Sequence, residues 1–207
     1  MVSRRTFVGA LLSISVVIGI SAFAQNPLLP KKSPRATLDE AVKDFKLRDL
    51  MKDLKENQKE EEAIVSLSQF KDKKTVVLFF LSEQCSVTRF YDNRIGELRK
   101  KIGEKNLVVL GVRCSAADTP EGLRKWVESK NFDIPLLNDA EGKLTSYFRV
   151  RQTPTFAVID TKGILRYKGS FDDDANEQSA SKHFVADAVE SIKAKKMVAV
   201  KENPPFG

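Results

Sequence analysis

Short apolar runs alternate with amphipathic segments along most of the chain. The runs are rich in β-branched and aromatic residues and lack a polar face, as in "TVVLFFL" at 75–81, so they predict strands buried on both sides. The predicted strands are 63–67, 75–81, 107–112, 134–137, 155–160 and 164–169. The predicted helices are 87–102, 119–130, 139–148 and 175–196. Strands that alternate with helices predict an α/β fold, with helices on both faces of a central sheet.

The helix predicted after Cys85 has the clearest periodicity. Its apolar residues recur at intervals of three and four positions, with charged residues between them. They are Val87, Phe90, Tyr91, Ile95, Leu98 and Ile102. One face of this helix should therefore pack on the sheet, and Cys85 should lie in the turn between a buried strand and the helix.

Other local signals fix further details. Thr119 before Pro120 is typical of a helix N-cap followed by proline in the first turn, and Trp126 should face the core of that helix. The turn residues of 159–165 lie between two apolar runs and predict a hairpin. The polar run 51–62 predicts a solvated insertion.

The first residues are of a different kind. Arg4 and Arg5 precede an apolar stretch at 7–22, and "AFAQ" offers a cleavage site after Ala24. We interpret 1–24 as an export signal, of the twin-arginine or the general secretory type, and its alternative is an uncleaved membrane anchor. The expected location is periplasmic or extracellular. Residues 25–35 should be a linker, 36–196 one domain and 197–207 a C-terminal tail.

Composition adds a modest basic excess. The 207 residues are 42% hydrophobic and 30% charged, with a net charge of +7. Removing 1–24 takes away two arginines and no acid, which leaves +5. This charge suits an anionic envelope surface, but no basic motif interleaved with aromatic residues is present, so nucleic acid is not an expected partner.

The chain has two cysteines, Cys85 and Cys114, and export would allow a disulfide between them to persist. Neither lies in a metal-ligand spacing, and His183 is the sole histidine, so neither a zinc site nor an organic cofactor is expected. His183 should be exposed. The acidic run 172–174 should cap the last helix or bound a loop, with weak calcium binding as the alternative.

From about residue 36 to 205 the chain resembles the thioredoxin-like superfamily, specifically redoxins related to the alkyl hydroperoxide reductase and thiol-specific antioxidant (AhpC/TSA) group. The resemblance rests on "KDFKLRDL", on the cysteine at a strand-to-helix turn, and above all on "TPTF" at 153–156 before a hairpin. It implies a thioredoxin-like fold, in which a central mixed sheet is flanked by helices on both faces. It also implies that Pro154 is cis and faces Cys85, that Thr153 and Pro154 bind the substrate, and that Cys85 is the nucleophile.

Physical chemistry supports that role. Unpaired N–H groups and the dipole at a helix N-terminus favour thiolate over thiol, and the thiolate is the reactive form. Arg89, four residues beyond Cys85, should lower the pKa of the thiol further, while Glu83 should oppose it.

The sequence departs from both catalytic patterns of this superfamily. Thr88 stands where a C-x-x-C motif has its second cysteine. In the peroxiredoxin pattern P-x-x-x-[TS]-x-x-C, Ser82 matches the hydroxyl, but Leu78 replaces the proline and Thr153 stands where the later arginine would be.

Cys114 should end a strand that neighbours the strand leading to Cys85. The two sulfurs could then form a redox pair or a structural disulfide, or they could remain unlinked.

Three functions fit these features. The leading hypothesis is an exported thiol-disulfide oxidoreductase that acts on protein or small-molecule disulfides, with Cys114 or an external reductant resolving the intermediate. The second is a peroxidase in which Cys85 becomes a sulfenic acid. The third is a non-catalytic binding module. Membrane contact is expected only if the N-terminal segment is not cleaved.

Overall fold

A five-stranded mixed sheet forms the centre of the computed structural model, which describes residues 34–52, 59–130 and 133–205. The strands are β1 Lys46–Arg48, β2 Ile64–Ser66, β3 Thr75–Leu81, β4 Leu107–Arg113, β5 Leu136–Asn138, β6 Thr155–Ile159 and β7 Leu165–Gly169. The α-helices are α1 Asp92–Ile102, α2 Pro120–Ser129, α3 Lys143–Tyr147 and α4 Phe184–Lys193. Single 3-10 turns occur at Glu60–Ala63, Leu67–Phe70, Thr88–Phe90 and Glu177–Ser179.

The strand order in the central sheet is β5-β4-β3-β6-β7. β3 is parallel to β4, and β4 is parallel to β5, whereas β6 runs antiparallel to both β3 and β7. β2 instead pairs antiparallel with β1 in a separate two-stranded sheet. The predicted α/β fold with a mixed sheet is confirmed.

Each face of the central sheet carries its own apolar core. Alternate residues of β3 separate cleanly, with Val77, Phe79 and Leu81 packing among residues of α1, α2 and α4. Val76, Leu78 and Phe80 pack on the other face, together with α3. Because both faces are covered, all seven residues of β3 are buried, which explains why its sequence shows no polar alternation.

The helix after Cys85 begins later than predicted. The prediction was 87–102, but the α-helix starts at Asp92, after a separate 3-10 turn. Four of the residues 87–91 are β-branched or aromatic, and such residues lose side-chain freedom in an α-helix. Phe90, predicted to face the core, is 53% exposed, whereas Tyr91, Ile95, Leu98 and Ile102 are buried as expected.

Two other helices are shorter than predicted. α3 begins at Lys143 because Gly142 before it adopts a positive φ of 63° and the Asp139 carboxylate accepts from the N–H groups of Leu144 and Thr145. α4 begins at Phe184, since much of 172–182 forms a hydrogen-bonded loop. The N-cap at Thr119 is confirmed, because its hydroxyl accepts from the Gly122 N–H at 3.0 Å.

The C-terminal segment is described up to residue 205, whereas the first 33 residues are not. The predicted export signal at 1–24 and most of the linker at 25–35 lie outside the described residues. Within the described part of the chain, no helix combines the length and apolar character that a membrane span needs. The segment predicted as a tail packs on β7, where the Asn203 amide donates to the Ser170 hydroxyl at 2.7 Å.

Candidate active site

Cys85 lies in the turn that follows β3. Its N–H donates to the carbonyl of Ser82 at 3.2 Å, which closes the turn. The side chain is half-buried. Its thiol donates to the carbonyl oxygen of Thr153, with 2.9 Å between sulfur and oxygen. The turn after β3 therefore meets the residue before Pro154, 68 positions along the chain.

The Thr153–Pro154 peptide bond is cis. Pro154 is buried, and Thr153 before it is half-buried and carries the carbonyl that meets the sulfur. The hydroxyl of Thr155 donates to the carbonyl of Gln152 at 2.7 Å, which closes the turn on its far side. These contacts join the two segments that the sequence nominated for catalysis and substrate binding.

Several groups act on the Cys85 sulfur. Burial raises the pKa of Cys85, but the Thr153 and Thr88 side chains and the backbone N–H groups of Thr88 and Val87 lower it. The hydrogen bonds prevail, so the pKa lies below its ordinary value. Arg89 is exposed and is not among the groups that produce this shift. The side chains of Thr153 and Thr88 and the backbone N–H groups of the turn thus lower the pKa of Cys85, which we had expected of Arg89.

Thr88 occupies the position of the second cysteine of a C-x-x-C motif. Its side chain is fully buried. Within the described part of the chain, no partner lies within ordinary hydrogen-bond distance of its hydroxyl. The hydroxyl nevertheless lies near enough to the Cys85 sulfur to lower the pKa of that thiol. A buried hydroxyl without another partner gains most when the sulfur is negatively charged and accepts from it.

A buried ion pair anchors the segment after Thr88. Arg94 of α1 donates to the Asp172 carboxylate at 2.6 Å and to the carbonyls of Asp174 and Ala175. Its guanidinium lies 4.8 Å from the ring centre of Tyr91. Burial raises the pKa of Asp172 to about 6, against the opposing effect of Arg94. The acidic run 172–174 therefore does more than cap a helix or bound a loop, because its first member is buried and paired.

Tyr91 connects this ion pair to the aromatic residues that pack next to the candidate site. Its ring packs at 5.4 Å from that of Phe156, two residues after Pro154, and at 5.6 Å from that of Phe171. Phe156 in turn stacks on Phe79 of β3 at 4.8 Å. The strand that leads to Cys85 and the strand that follows Pro154 are thus held together by an aromatic cluster directly beneath the site.

Ser82 serves a different contact from the one expected. Its hydroxyl donates to the buried Asp118 carboxylate at 2.9 Å and accepts from the Gln84 N–H at 3.2 Å. Arg113 donates to the carbonyl of Asp118 through two nitrogens, at 2.6 and 3.0 Å. Ser82 thereby ties the turn of Cys85 to the loop that follows β4.

Cys114 follows β4 directly, and β4 is the parallel neighbour of β3 as predicted. Its thiol donates to the Leu81 carbonyl at 3.3 Å, and both cysteines are free thiols. Burial, with the charges of Asp118 and Asp139, raises the pKa of Cys114 to about 12. The two cysteines therefore differ in kind, since one is poised to ionise and the other is held as a neutral thiol.

Comparison with known proteins agrees with this geometry. The model of the AhpC/TSA family matches residues 38–168. The chain belongs to the AhpC/TSA family. It is a thioredoxin-like redoxin, of a family whose members act on thiol, disulfide or peroxide substrates as thiol-disulfide oxidoreductases or peroxidases. A search of curated proteins found no match.

Solved structures share the redoxin fold. A hypothetical protein from Sinorhizobium meliloti is 22% identical with a TM-score of 0.69, over 83% of this chain and 92% of its own. Peroxidoxin BcpB from Mycobacterium tuberculosis is 21% identical with a TM-score of 0.57, over 77% and 98%. A protein named for thiol:disulfide interchange, DsbE from Chlorobium tepidum, is 19% identical with a TM-score of 0.54, over 64% and 84%.

The sequence nominated the thiol of Cys85 but not the buried charged groups around it. The structure brings Cys85, Thr88, Thr153 and Pro154 together, whereas Arg89 is exposed and Ser82 faces Asp118. The buried charges of Arg94, Asp118 and Asp172 were not nominated. The spacing of Arg94, three residues after Tyr91 and four before Leu98 on the buried face, was the available signal for one of them.

Proposed function

We propose that this redoxin is a thiol-disulfide oxidoreductase in which Cys85 is the nucleophile. One observation carries the proposal: a half-exposed sulfur meets the carbonyl of Thr153 beside Pro154, and donors from its own turn lower its pKa. A thiolate that is both stabilised and reachable is what disulfide exchange requires.

The proposed reaction has two steps. The Cys85 thiolate attacks one sulfur of a substrate disulfide; that bond breaks, and the leaving thiolate takes a proton from water. In the second step an external thiol attacks the substrate sulfur of the mixed disulfide and releases the Cys85 thiolate. A second external thiol then attacks the first, so that the substrate leaves as a thiol and the two external thiols leave joined as a disulfide. In sum, one disulfide is reduced and two external thiols are oxidised.

We assign resolution to an external thiol in preference to Cys114. The attacking species must be a thiolate, and a pKa of about 12 keeps Cys114 protonated near neutral pH. Cys114 also packs with the apolar core on the α3 face of the sheet. In this proposal it is a half-buried thiol at the end of the sheet and not half of the redox cycle.

The substrate would bind over Thr153 and the exposed Phe90. Thr153 presents its backbone next to the sulfur, while Phe90 projects from the 3-10 turn three residues after Val87 with 53% of its surface exposed. An exposed apolar side chain five residues after the reactive thiol favours a peptide or protein disulfide over a small hydrophilic one.

Thiol peroxidase activity is the second candidate. Membership of the AhpC/TSA family and the likeness to a peroxidoxin favour it. The thiolate would attack one peroxide oxygen, the O–O bond would break, and the alcohol or water would leave with a proton as Cys85 became a sulfenic acid. Against it, Ser82 is engaged with Asp118, and Leu78 and Thr153 stand where that chemistry has proline and arginine.

We further propose that residues 1–24 direct export and that 36–196 form the redoxin domain. The apolar stretch at 7–22 after two arginines supports this assignment. It is tested by N-terminal sequencing of the protein recovered from the envelope or the medium, which should begin near Gln25. Recovery of the chain from the cytosol with Arg4 and Arg5 intact would contradict it.

A matched pair of variants tests the activity. Cys85→Ser and Cys114→Ser each remove one thiol, and each is assayed for insulin disulfide reduction and for peroxide consumption with dithiothreitol present. We expect Cys85→Ser to abolish disulfide reduction and Cys114→Ser to retain most of it. Loss of peroxide turnover alone in Cys85→Ser would establish the second candidate, and an inactive wild type would support a binding module.

A further inference from the structure

The two ends of the central sheet differ sharply in charge. Cys85 lies at the end where β3 and β4 finish and β6 begins, which we call the thiol end. The opposite end, roughly 23 Å away along the seven residues of β3, consists of the turns that precede β3 and β4, the hairpin turn between β6 and β7, and the segment after α4. These four turns, 71–74, 104–106, 161–163 and 195–197, we call the basic end.

Direct contacts join these turns into one surface. The Asp72 N–H donates to the Thr161 carbonyl at 2.6 Å, and the Thr75 N–H donates to the Asn106 carbonyl at 2.8 Å. Asp160 and Thr161 line the same cavity as 195–197. The lysines of all four turns therefore act together on whatever approaches this end of the sheet.

Seven lysines and two acids lie on these turns, all within the described residues. The lysines are Lys71, Lys73, Lys74, Lys105, Lys162, Lys195 and Lys196. The nearby acids weaken this excess little, because Asp39 contacts Arg166 and Lys201, and Asp160 contacts Arg166. Glu40, on the segment next to the hairpin, and Asp44, which lines the same cavity as Lys71 and Lys162, reduce it by two charges.

The thiol end carries the opposite charge. Its loops, 82–91, 114–119, 139–142, 148–154 and 170–183, hold eight acids against four lysines and arginines. Two of these acids, Asp172 and Glu141, pair with Arg94 and Lys143 of the adjoining helices, which reduces the acidic excess from four charges to two. The charge of the domain is therefore asymmetric along the strands, basic at one end of the sheet and slightly acidic at the other. In the field of an anionic surface such a molecule turns its basic end inward and its thiol outward.

Apolar side chains project between the lysines of the basic end. Met197 is 87% exposed and directly follows Lys195 and Lys196, and Val200, three residues later, is 44% exposed. Together with Phe90 at the thiol end, these two are the large apolar side chains that the described part of the chain leaves exposed. A flexible apolar side chain flanked by lysines suits insertion beneath lipid headgroups while the ammonium groups contact phosphates.

We propose that the basic end is a docking surface for an anionic lipid bilayer, in which Met197 inserts among the headgroups and the lysines bind their phosphates. The redoxin then lies on the membrane with Cys85 facing away from it, toward partners in the aqueous phase. This contact belongs to the folded domain and does not depend on the segment 1–24.

The chemistry of the surface favours a bilayer over a nucleic acid. Its charges are lysines, which act as point charges, and no arginine or aromatic side chain lies on the four turns to grip or stack on bases. The exposed Met197 has no role in binding a polyanion in water, whereas a headgroup layer offers it an apolar environment.

The test compares two full-length variants with equal loss of charge. The first changes Lys71, Lys73, Lys195 and Lys196 to glutamine. The second, the matched control, changes the exposed Lys43, Lys46, Lys125 and Lys143. Co-sedimentation with phosphatidylglycerol-containing vesicles, against phosphatidylcholine vesicles, measures binding at low and high salt. Both variants keep 1–24, so any binding by that segment contributes equally to each.

We expect the basic-end variant to bind anionic vesicles at least about tenfold more weakly than the control, with the difference shrinking at high salt. Met197→Ser should weaken binding without changing its salt dependence. Bound protein should still react at Cys85 with a membrane-impermeant maleimide. Equal binding by the two four-lysine variants would overturn the proposal. The proposal would also be overturned if the basic-end variant lost binding to heparin or RNA but bound anionic vesicles as well as the control, because the surface would then be a polyanion site.

Discussion

The sulfur of Cys85 lies 2.9 Å from the carbonyl oxygen of Thr153, across a gap of 68 residues in sequence. This contact brings the turn after β3 to the cis Thr153–Pro154 bond, and it leaves the sulfur half-exposed among donors of its own turn. The chemistry we propose depends on that arrangement, because the side chains of Thr153 and Thr88 and the backbone of the turn lower the pKa of the sulfur that it holds beside Pro154.

The first prediction concerns Thr88. Thr88→Val keeps the shape of a fully buried side chain but removes the hydroxyl that acts on the sulfur. The pKa of Cys85 should rise, and alkylation by iodoacetamide at pH 7 should slow about fivefold, the effect of one hydrogen bond worth about 1 kcal/mol. The exposed Ser86→Ala is the control. An unchanged rate in Thr88→Val would remove Thr88 from the site.

The second prediction distinguishes the two thiols. At pH 8 the native protein should lose one thiol rapidly to iodoacetamide and the other at least about a hundredfold more slowly. Mass spectrometry of peptides should place the fast adduct on Cys85 and the slow one on Cys114, whose pKa is raised to about 12. In guanidinium both should react at the same rate. Fast modification of Cys114 in the native protein would contradict this prediction and would show that Cys114 is able to act as the resolving thiol.

The third prediction concerns stability at alkaline pH. The pKa values of Cys114 and Tyr91 are both raised to about 12 in the folded protein, chiefly by burial. Above about pH 9 the unfolded chain loses these protons while the folded chain keeps them, so the free energy of unfolding should fall as pH rises toward 12. Cys114→Ala should make this fall shallower in urea titrations between pH 8 and 11. An identical slope would show that Cys114 ionises equally in both states.

The fourth prediction concerns the buried ion pair of Arg94 and Asp172. Arg94→Leu leaves the Asp172 carboxylate buried and unpaired, and should lower the free energy of unfolding by about 3–5 kcal/mol. The double variant Arg94→Leu, Asp172→Leu should recover part of this loss. The control on the same helix is Arg99→Leu, whose partner Glu104 is exposed and whose loss should cost less than about 1 kcal/mol. A double variant as unstable as the single one would contradict this reading.

Local patterns predicted the parts of the fold that depend on local physics. "TVVLFFL" became the fully buried β3, and Thr119 caps α2 with Pro120 in its first turn, because burial on both faces and capping leave direct traces in sequence. The start of α1 was missed because the apolar periodicity of 87–91 resembles that of the true helix, although the segment forms a 3-10 turn and exposes Phe90.

The candidate site was predictable only in part, because some of its residues have local sequence signals and others are defined by contacts between distant parts of the chain. Cys85 and Pro154 were recognisable from a strand-to-helix turn and a resemblance to redoxins. The contacts that support them, Ser82 with Asp118 and Arg94 with Asp172, join residues 36 and 78 positions apart. No periodicity reveals which buried acid meets which donor at such separations. Arg89 had the right spacing, yet it points to solvent.

The most direct test of the central claim is the pH dependence of Cys85 alkylation in the Cys114→Ser variant, where a single thiol reports. Iodoacetamide rates between pH 4 and pH 10 give the midpoint at which this sulfur ionises in the folded protein. The account predicts a midpoint below that of cysteine in an unstructured peptide, together with a rate at pH 7 above that of the peptide. A midpoint at or above the peptide value would contradict it.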